Sequence, residues 1–113
     1  MREMSKKPND LIAEISGILG VPATGRMILN SLRNGKMLSV SEITSGIKRS
    51  ERSVRSQLKI LTKLELIRRK ITITKKGRLA YLYFAPQMNE LIETAKREIL
   101  RRLRRLEMRM KGD

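Results

Sequence analysis

Cysteine and histidine are both absent from the 113 residues of this chain. Disulfides, thiol nucleophiles, imidazole bases and zinc sites built from Cys and His are therefore excluded. The carboxylates of Glu42 and Glu51 stand apart from one another and have structural roles, and no glycine-rich phosphate loop is present. We therefore expect no enzymatic activity, no cofactor and no metal ion.

Aromatic residues and long apolar runs are scarce as well. Tyr81, Tyr83 and Phe84 are the three aromatic residues, so the core must be aliphatic. A small aliphatic core has limited stability on its own, which favours oligomerisation. No run of about 18 apolar residues is present, and residues 1–10 are polar without an apolar signal core. We expect an intracellular protein that does not bind membranes.

Positive charge is what the chain has in excess. It contains 26 Lys and Arg against 11 Asp and Glu, a net charge of +15. Twelve of the basic residues lie between Lys48 and Arg78, where the acidic residues are Glu51 and Glu65 alone. This segment therefore carries a net +10, and such concentrated positive charge attracts nucleic-acid phosphates and releases their counterions.

Apolar spacing and capping residues predict four helices in the first half of the chain. The first begins at Pro8 or Asn9 and ends at Gly20, and the second ends at Asn34-Gly35. Ser39 and Glu42 have the spacing of a capping box for a short helix that ends near Ile47. Ser50 caps the fourth helix, whose apolar stripe is Val54, Leu58 and Leu61.

The middle of the chain predicts strands and a further helix. Leu66-Ile67 begins one strand, and the β-branched run at 71–74 forms a second. A tight, very short hairpin around Arg69-Lys70 would have to join them. Thr74 is expected to cap a helix that Pro86 kinks or restarts.

The C-terminal segment after Pro86 predicts one long helix. Its apolar residues follow at spacings of 4, 3, 4, 4, 3 and 4, which is typical of a coiled-coil seam with a stutter. We expect this seam to pair two copies of the chain as a homodimer, with pairs such as Glu98–Arg102 on the outer face. The predicted seam consists of Met88, Ile92, Ala95, Ile99, Leu103, Leu106 and Met110.

Residues 42–59 resemble, without gaps, the helix-turn-helix of winged-helix transcription regulators. Residues 73–77, Ile-Thr-Lys-Lys-Gly, are similar to the Leu-Thr-x-x-Gly step that closes the wing in the MarR, ArsR and TrmB groups. The resemblance covers about residues 26–85, and the overall plan looks most like small archaeal regulators and archaeal winged-helix chromatin proteins. The chain departs from the pattern at Lys48 and Glu65, where the family usually has glycine, and at Arg49, where it usually has an apolar residue.

This resemblance implies an α+β, mostly α, winged helix-turn-helix domain followed by a long coiled-coil helix. The expected divisions are a disordered basic tail at 1–7, a DNA-binding domain at 8–85 and a dimerisation helix at 86–113. The recognition helix would enter the major groove, where Arg52 and Arg55 can each bond guanine through two hydrogen bonds.

The predicted DNA-binding residues fall into three groups. The recognition helix supplies its outward residues and cap, the preceding turn supplies two cations, and the hairpin supplies three that touch phosphates. In that order they are Ser50, Arg52, Ser53, Arg55, Ser56 and Lys59; Lys48 and Arg49; and Arg68, Arg69 and Lys70.

The function predicted from these features is sequence-preferring binding of double-stranded DNA by a dimeric transcription regulator, located in the cytoplasm at the nucleoid. An architectural chromatin or DNA-partition protein that coats DNA with little sequence preference is the alternative. Two other classes are a protein–protein adaptor and an RNA-binding module. The basic recognition face argues against an adaptor. The narrow major groove of A-form RNA and the scarcity of aromatic residues argue against RNA.

Overall fold

The computed structural model describes residues 8–112, which form five helices and one antiparallel hairpin. The predicted disordered tail, residues 1–7, lies outside the described residues. The architecture is the predicted one, a mostly helical winged helix with a long C-terminal helix. Its elements are α1 (Pro8–Leu19), α2 (Ala23–Ser31), α3 (Val40–Ile47), α4 (Glu51–Lys63), β1 (Arg68–Ile73), β2 (Leu79–Phe84) and α5 (Met88–Gly112).

The core is formed mainly by the first four helices, is completed by residues of α5 and β2, and is largely aliphatic, as the scarcity of aromatic residues predicted. Ile28 from α2, Ile43 from α3 and Leu61 from α4 are completely buried. Of the three aromatic residues, Tyr83 is buried in this core. The predicted stripe of α4 is the buried face, because Val54, Leu58 and Leu61 point into the core. The packing of α4 therefore determines which of its faces is exposed.

Both serine caps form as the sequence predicted. The Glu42 N–H donates to Ser39 Oγ (3.1 Å), and the Ser39 N–H donates to Glu42 Oε1 (2.9 Å), which completes a capping box. At the start of α4, the Ser53 N–H donates to Ser50 Oγ (3.1 Å). These bonds satisfy N–H groups that a helix leaves unpaired at its first turn, and they place the starts of α3 and α4.

Lys48 and Glu65 both adopt the left-handed conformation that glycine usually provides. Lys48 has φ 58° and Glu65 has φ 65°. After α4, the Leu66 N–H donates to the Leu61 carbonyl and the Glu65 N–H to the Thr62 carbonyl, both at 3.0 Å. This is a Schellman motif with glutamate at its left-handed position. The helix ends in the usual geometry, at a steric cost of about 1 kcal/mol for the Cβ atom.

Glu65→Gly is expected to increase the free energy of unfolding by about 1 kcal/mol, because glycine adopts the same backbone conformation without that cost. Urea denaturation followed by circular dichroism measures the change. Glu65→Ala is the matched control, since it removes the same charge but keeps the Cβ atom. An equal gain from both variants would assign the effect to charge and contradict the conformational explanation.

The predicted hairpin was misplaced. β1 pairs with β2 from Arg68↔Phe84 to Ile73↔Leu79, so the turn lies at residues 74–78 and not at Arg69-Lys70. The strand predicted to begin at Leu66-Ile67 was also misplaced, because β1 begins at Arg68. Leu66 and Ile67 lie in the bend before it and are buried in the core. Each strand of the wing has six residues, so the wing is not very short.

Residues 79–84 form a strand instead of the predicted helix because Thr74 closes a turn. The Gly77 N–H donates to the Thr74 carbonyl (2.9 Å), and the Arg78 N–H donates to Thr74 Oγ1 (3.1 Å). Gly77 has φ 77°, a conformation that a β-hairpin turn accommodates and an α-helix does not. The threonine that resembled a helix cap therefore holds the two strands together at their connection.

The base of the wing is fastened to the loop before α3. Leu38 and Tyr83 exchange two backbone hydrogen bonds, with the Tyr83 N–H donating at 2.8 Å and the Leu38 N–H donating at 3.0 Å. The Tyr83 side chain is buried. This isolated β-bridge holds the two-stranded wing in place beside the helical core.

The predicted seam of α5 is divided between two environments. Its first half packs on the chain's own core, where Ala95 is buried and Met88 and Ile99 are partly buried. Its second half is exposed, with Leu103 at 52% and Leu106 at 56% of their full exposure. The whole seam was expected to pair with a second copy, but its first half packs with α1 against the core of the same chain.

Glu98 lies on the buried face of α5, not on the outer face that its spacing to Arg102 suggested. Its carboxylate accepts hydrogen bonds from Arg102 Nε (2.7 Å) and from Arg101. The Arg102 hydrogen bond, together with the nearby Arg101 charge, lowers the pKa of Glu98 despite the opposing effect of burial. The ionised carboxylate is therefore stabilised where α5 leaves the core.

Glu98→Gln is expected to destabilise the fold at neutral pH and to lose this effect in acid. The folded-state pKa lies below the unfolded value of about 4.5, so the carboxylate contributes fully above that pH. The contribution disappears as the pH falls through the folded pKa. Urea denaturation of both proteins from about pH 7 to about pH 3 measures this, and a difference that does not change with pH would contradict it.

Candidate nucleic-acid interface

The helix-turn-helix and the wing present the basic segment to solvent as one surface. All twelve Lys and Arg side chains between residues 48 and 78 are exposed. Six lie on α4 or in the turn before it, and six lie on the wing or its connecting turn. The local charge that the sequence revealed is therefore concentrated on adjoining elements.

The outward face of α4 carries the residues predicted for the recognition helix. Arg52, Arg55, Ser56 and Lys59 are exposed, and Ser53 is half-buried. The Ser50 hydroxyl is occupied in capping the helix, which is a structural role. The arginines lie in the first and second turns of α4, the part that reaches base edges when such a helix enters a major groove.

An ion pair that was not predicted from the sequence lies on this face. Arg55 Nε is 2.8 Å from Glu51 Oε2, and both side chains are about three-fifths exposed. Glu51 precedes Arg55 by one helical turn, a spacing that could have revealed the pair. Exposed pairs contribute at most about 1 kcal/mol, so a stronger acceptor can replace the Glu51 carboxylate.

The turn between α3 and α4 places two cations near the start of α4. Lys48 is the left-handed residue that ends α3. The Arg49 guanidinium donates to the Met27 sulfur at 3.5 Å, so this side chain lies back toward α2. Both residues therefore precede α4, and the Arg49 side chain is directed toward α2.

The three wing cations predicted to contact DNA lie at the base of the wing. Arg68, Arg69 and Lys70 pair with residues 84, 83 and 82 of β2. The Arg69 guanidinium lies 4.2 Å from the centroid of the Tyr81 ring, which is a cation–π contact. Because strand side chains alternate, Arg69 faces one side of the wing while Arg68 and Lys70 face the other.

A cleft of about 390 Å³ separates α4 from the base of the wing. Four cationic side chains line it, together with Tyr83 and two further residues of α4. The four are Arg55, Lys59, Lys63 and Arg69. This arrangement can bind a phosphate group between α4 and the wing, which the sequence did not reveal.

The wing tip, residues 74–78, carries three further exposed cations that were not predicted to belong to the interface. They are Lys75, Lys76 and Arg78. They were missed because the sequence pattern placed residues 75–78 in a helix capped by Thr74 and not in the turn of the wing. Gly77 before an aromatic-rich run of strand formers was the available signal for the hairpin.

Within residues 8–112, no cluster of three or more carboxylates is arranged to hold a metal ion. No helix in the same part of the chain has the length and apolar composition needed to cross a membrane.

No protein-family model matches the sequence, and no curated protein matches it. Solved structures do share its fold. A possible transcriptional regulator from Methanosarcina mazei Go1 is 16% identical, with a TM-score of 0.71 over 99% of this chain and 95% of that one. The ST1889 protein from the thermoacidophilic archaeon Sulfolobus tokodaii is 21% identical, with a TM-score of 0.60 over 87% and 92% of the two chains. The YusO protein from Bacillus subtilis is 23% identical, with a TM-score of 0.54 over 89% and 76%.

Proposed function

We propose that this protein is a dimeric transcription regulator that binds double-stranded DNA with sequence preference. The observation that carries the proposal is the exposed arginine face of α4 beside a cationic cleft and wing. The fold is shared with a possible transcriptional regulator from Methanosarcina mazei Go1, which supports the same class. The proposed site of action is the cytoplasm, at the nucleoid.

In this proposal, the first two turns of α4 enter the major groove. Arg52 and Arg55 reach guanine O6 and N7, and Arg55 exchanges the Glu51 carboxylate for the base. Lys48 and Arg49 contact the phosphates beside the helix N-terminus. The cleft lined by Lys59 and Arg69 receives a backbone phosphate, which sets the register of the protein on the duplex.

The second half of α5 supports the dimer. Leu103, Leu106 and Met110 are exposed apolar members of the predicted seam there, and Ile92 in the first half is also exposed, at 40%. A stripe of this kind is buried when two helices pair. Pairing through α5 would link two α4 helices, which could then read two half-sites roughly 34 Å apart on one face of the duplex.

Selection of bound duplexes from a random pool, with competitor DNA present, tests the proposal. We expect a pseudo-palindromic motif and an affinity that falls as salt rises. Uniform binding of all duplexes would indicate the architectural or partition role instead. Retention of RNA but not of duplex DNA, or of neither, would contradict DNA binding and favour the RNA-binding module or the adaptor.

Replacing Arg68, Arg69 and Lys70 together by alanine is expected to weaken binding to all duplexes alike. Loss of phosphate contacts also flattens the slope of log affinity against log salt, by up to about one unit per contact. Electrophoretic mobility shifts between about 50 and about 200 mM salt measure both effects. The matched control replaces Arg104, Arg105 and Arg109 of α5, and an equal effect of the control would contradict a specific role of the wing.

A further inference from the structure

One face of the wing carries exposed apolar side chains that the core does not use. Ile71 is 58% exposed, Ile73 68%, Leu79 75% and Tyr81 40%. Ile71 pairs with Tyr81, and Ile73 pairs with Leu79, so the four side chains lie together on one face of the hairpin. We call this set the apolar strip.

The apolar strip faces the same side as the cationic cleft. Arg69 and Tyr83 form the next cross-strand pair toward the base, and alternation places them on the face of the strip. Both residues line the cleft with Arg55 and Lys59 of α4. The strip is therefore a continuation, away from the core, of the surface that the recognition helix presents.

Cations surround the apolar strip at both ends. Lys75, Lys76 and Arg78 lie at the tip, and Arg69 lies on the Tyr81 ring at the base. A partner that fits this surface must place negative charge opposite the cations at the two ends of the strip and apolar planar groups opposite the strip itself. A second copy of the wing would bring two cationic tips together, whereas the minor groove of duplex DNA offers phosphates at its edges and stacked bases between them.

The wing is held by hydrogen bonds at both its tip and its base. Thr74 binds across the turn to Gly77 and Arg78, and the Leu38–Tyr83 bridge anchors the base. Side chains that enter between base pairs must resist the free energy that favours restacking of the bases. A braced hairpin with Ile73 and Leu79 side by side near its tip meets this requirement.

We propose that Ile73 and Leu79 form a wedge that enters the minor groove, partly unstacks one base step and bends the duplex. The proposal rests on the proposed DNA-binding function. The recognition helix would occupy the major groove, while the cationic wing tip follows the backbone into the neighbouring minor groove. Apolar wedges of this kind kink DNA toward the major groove.

The direct test is the bend angle of a selected duplex carrying donor and acceptor dyes at its ends. We expect the wild-type protein to bend the duplex by about 20° or more at each wedge. The double variant Ile73→Thr with Leu79→Thr places β-branched but polar side chains at both positions and is expected to bind without this bend. Ile73→Val with Leu79→Val keeps an apolar wedge and is expected to retain it.

Two controls test whether the bend depends on the wedge itself. Ile18→Thr removes a similarly exposed isoleucine from α1, 63% exposed, and is expected to leave the bend unchanged. A duplex with a mismatch at the bent step is already weakly stacked there. The wild-type protein is expected to bind it about tenfold more tightly than the matched duplex, and the double threonine variant to bind both equally.

The outcomes distinguish the wedge from the proposed function. Binding of a straight duplex by the wild-type protein would overturn the wedge and leave DNA binding intact, whereas no binding of any duplex would overturn both. If the double threonine variant bends DNA like the wild type, the wedge is also overturned. Two further results would also overturn the wedge. A lower oligomeric state of the double threonine variant in sedimentation would assign the apolar strip to contacts between copies of the chain. Binding of the wild type, but not of this variant, to anionic vesicles would assign the strip to a membrane surface.

Discussion

If α5 pairs two copies of the chain as proposed, Leu103→Glu is expected to convert that dimer into a monomer and to weaken binding to a two-half-site duplex by about 100-fold or more. Leu103 lies in the exposed half of α5, so its side chain is not needed by the chain's own core. A carboxylate in the seam would have to lose its hydration against the apolar side chains of the partner helix, which opposes pairing. Sedimentation velocity and mobility shifts on the same samples measure both effects.

Met108→Glu is the matched control for this variant. Met108 is exposed on the same helix but lies outside the predicted seam, so the same charge should leave the dimer intact. Removing all of α5 is not an equivalent experiment, because Leu91 and Ala95 belong to the core. A wild-type protein that sediments as a monomer at micromolar concentration would contradict pairing through α5.

Arg52→Ala and Arg55→Ala are each expected to cost about 1–3 kcal/mol of binding free energy on the selected duplex, and less on random DNA. The physical reason is that a guanine contact exists on the preferred site alone, whereas a phosphate contact exists on every site. Fluorescence anisotropy with both duplexes gives the comparison. Equal losses on both duplexes would assign these arginines to phosphates.

Glu51→Ala distinguishes the role of Arg55 from that of Arg52, because Glu51 pairs with Arg55. It removes the carboxylate that holds Arg55 at 2.8 Å, so Arg55 no longer has to exchange a partner on binding. We expect tighter binding of this variant, and no such gain when Arg55 is already alanine. Glu93→Ala, which removes the carboxylate 3.7 Å from Lys96 on α5, is the control for the loss of one exposed negative charge.

The predictions that held concern features formed by residues close together in the chain. The Ser39 and Ser50 caps join residues three apart, and the stripe of Val54, Leu58 and Leu61 repeats at helical spacing within α4. Such features depend on geometry within one or two helical turns, which is why a single sequence is enough to place them.

The sequence by itself determined the aliphatic core, the four helices around it and the concentration of charge between residues 48 and 78. The tertiary structure alone decided the register of the wing, because residues 71–74 do not specify which distant segment pairs with them. It also decided that Glu98 is buried and that the α5 seam is divided, because an amphipathic pattern shows which face is apolar but not what covers it. Pairing between strands and packing between helices join residues far apart in sequence, and the free energy of those contacts exceeds local preference.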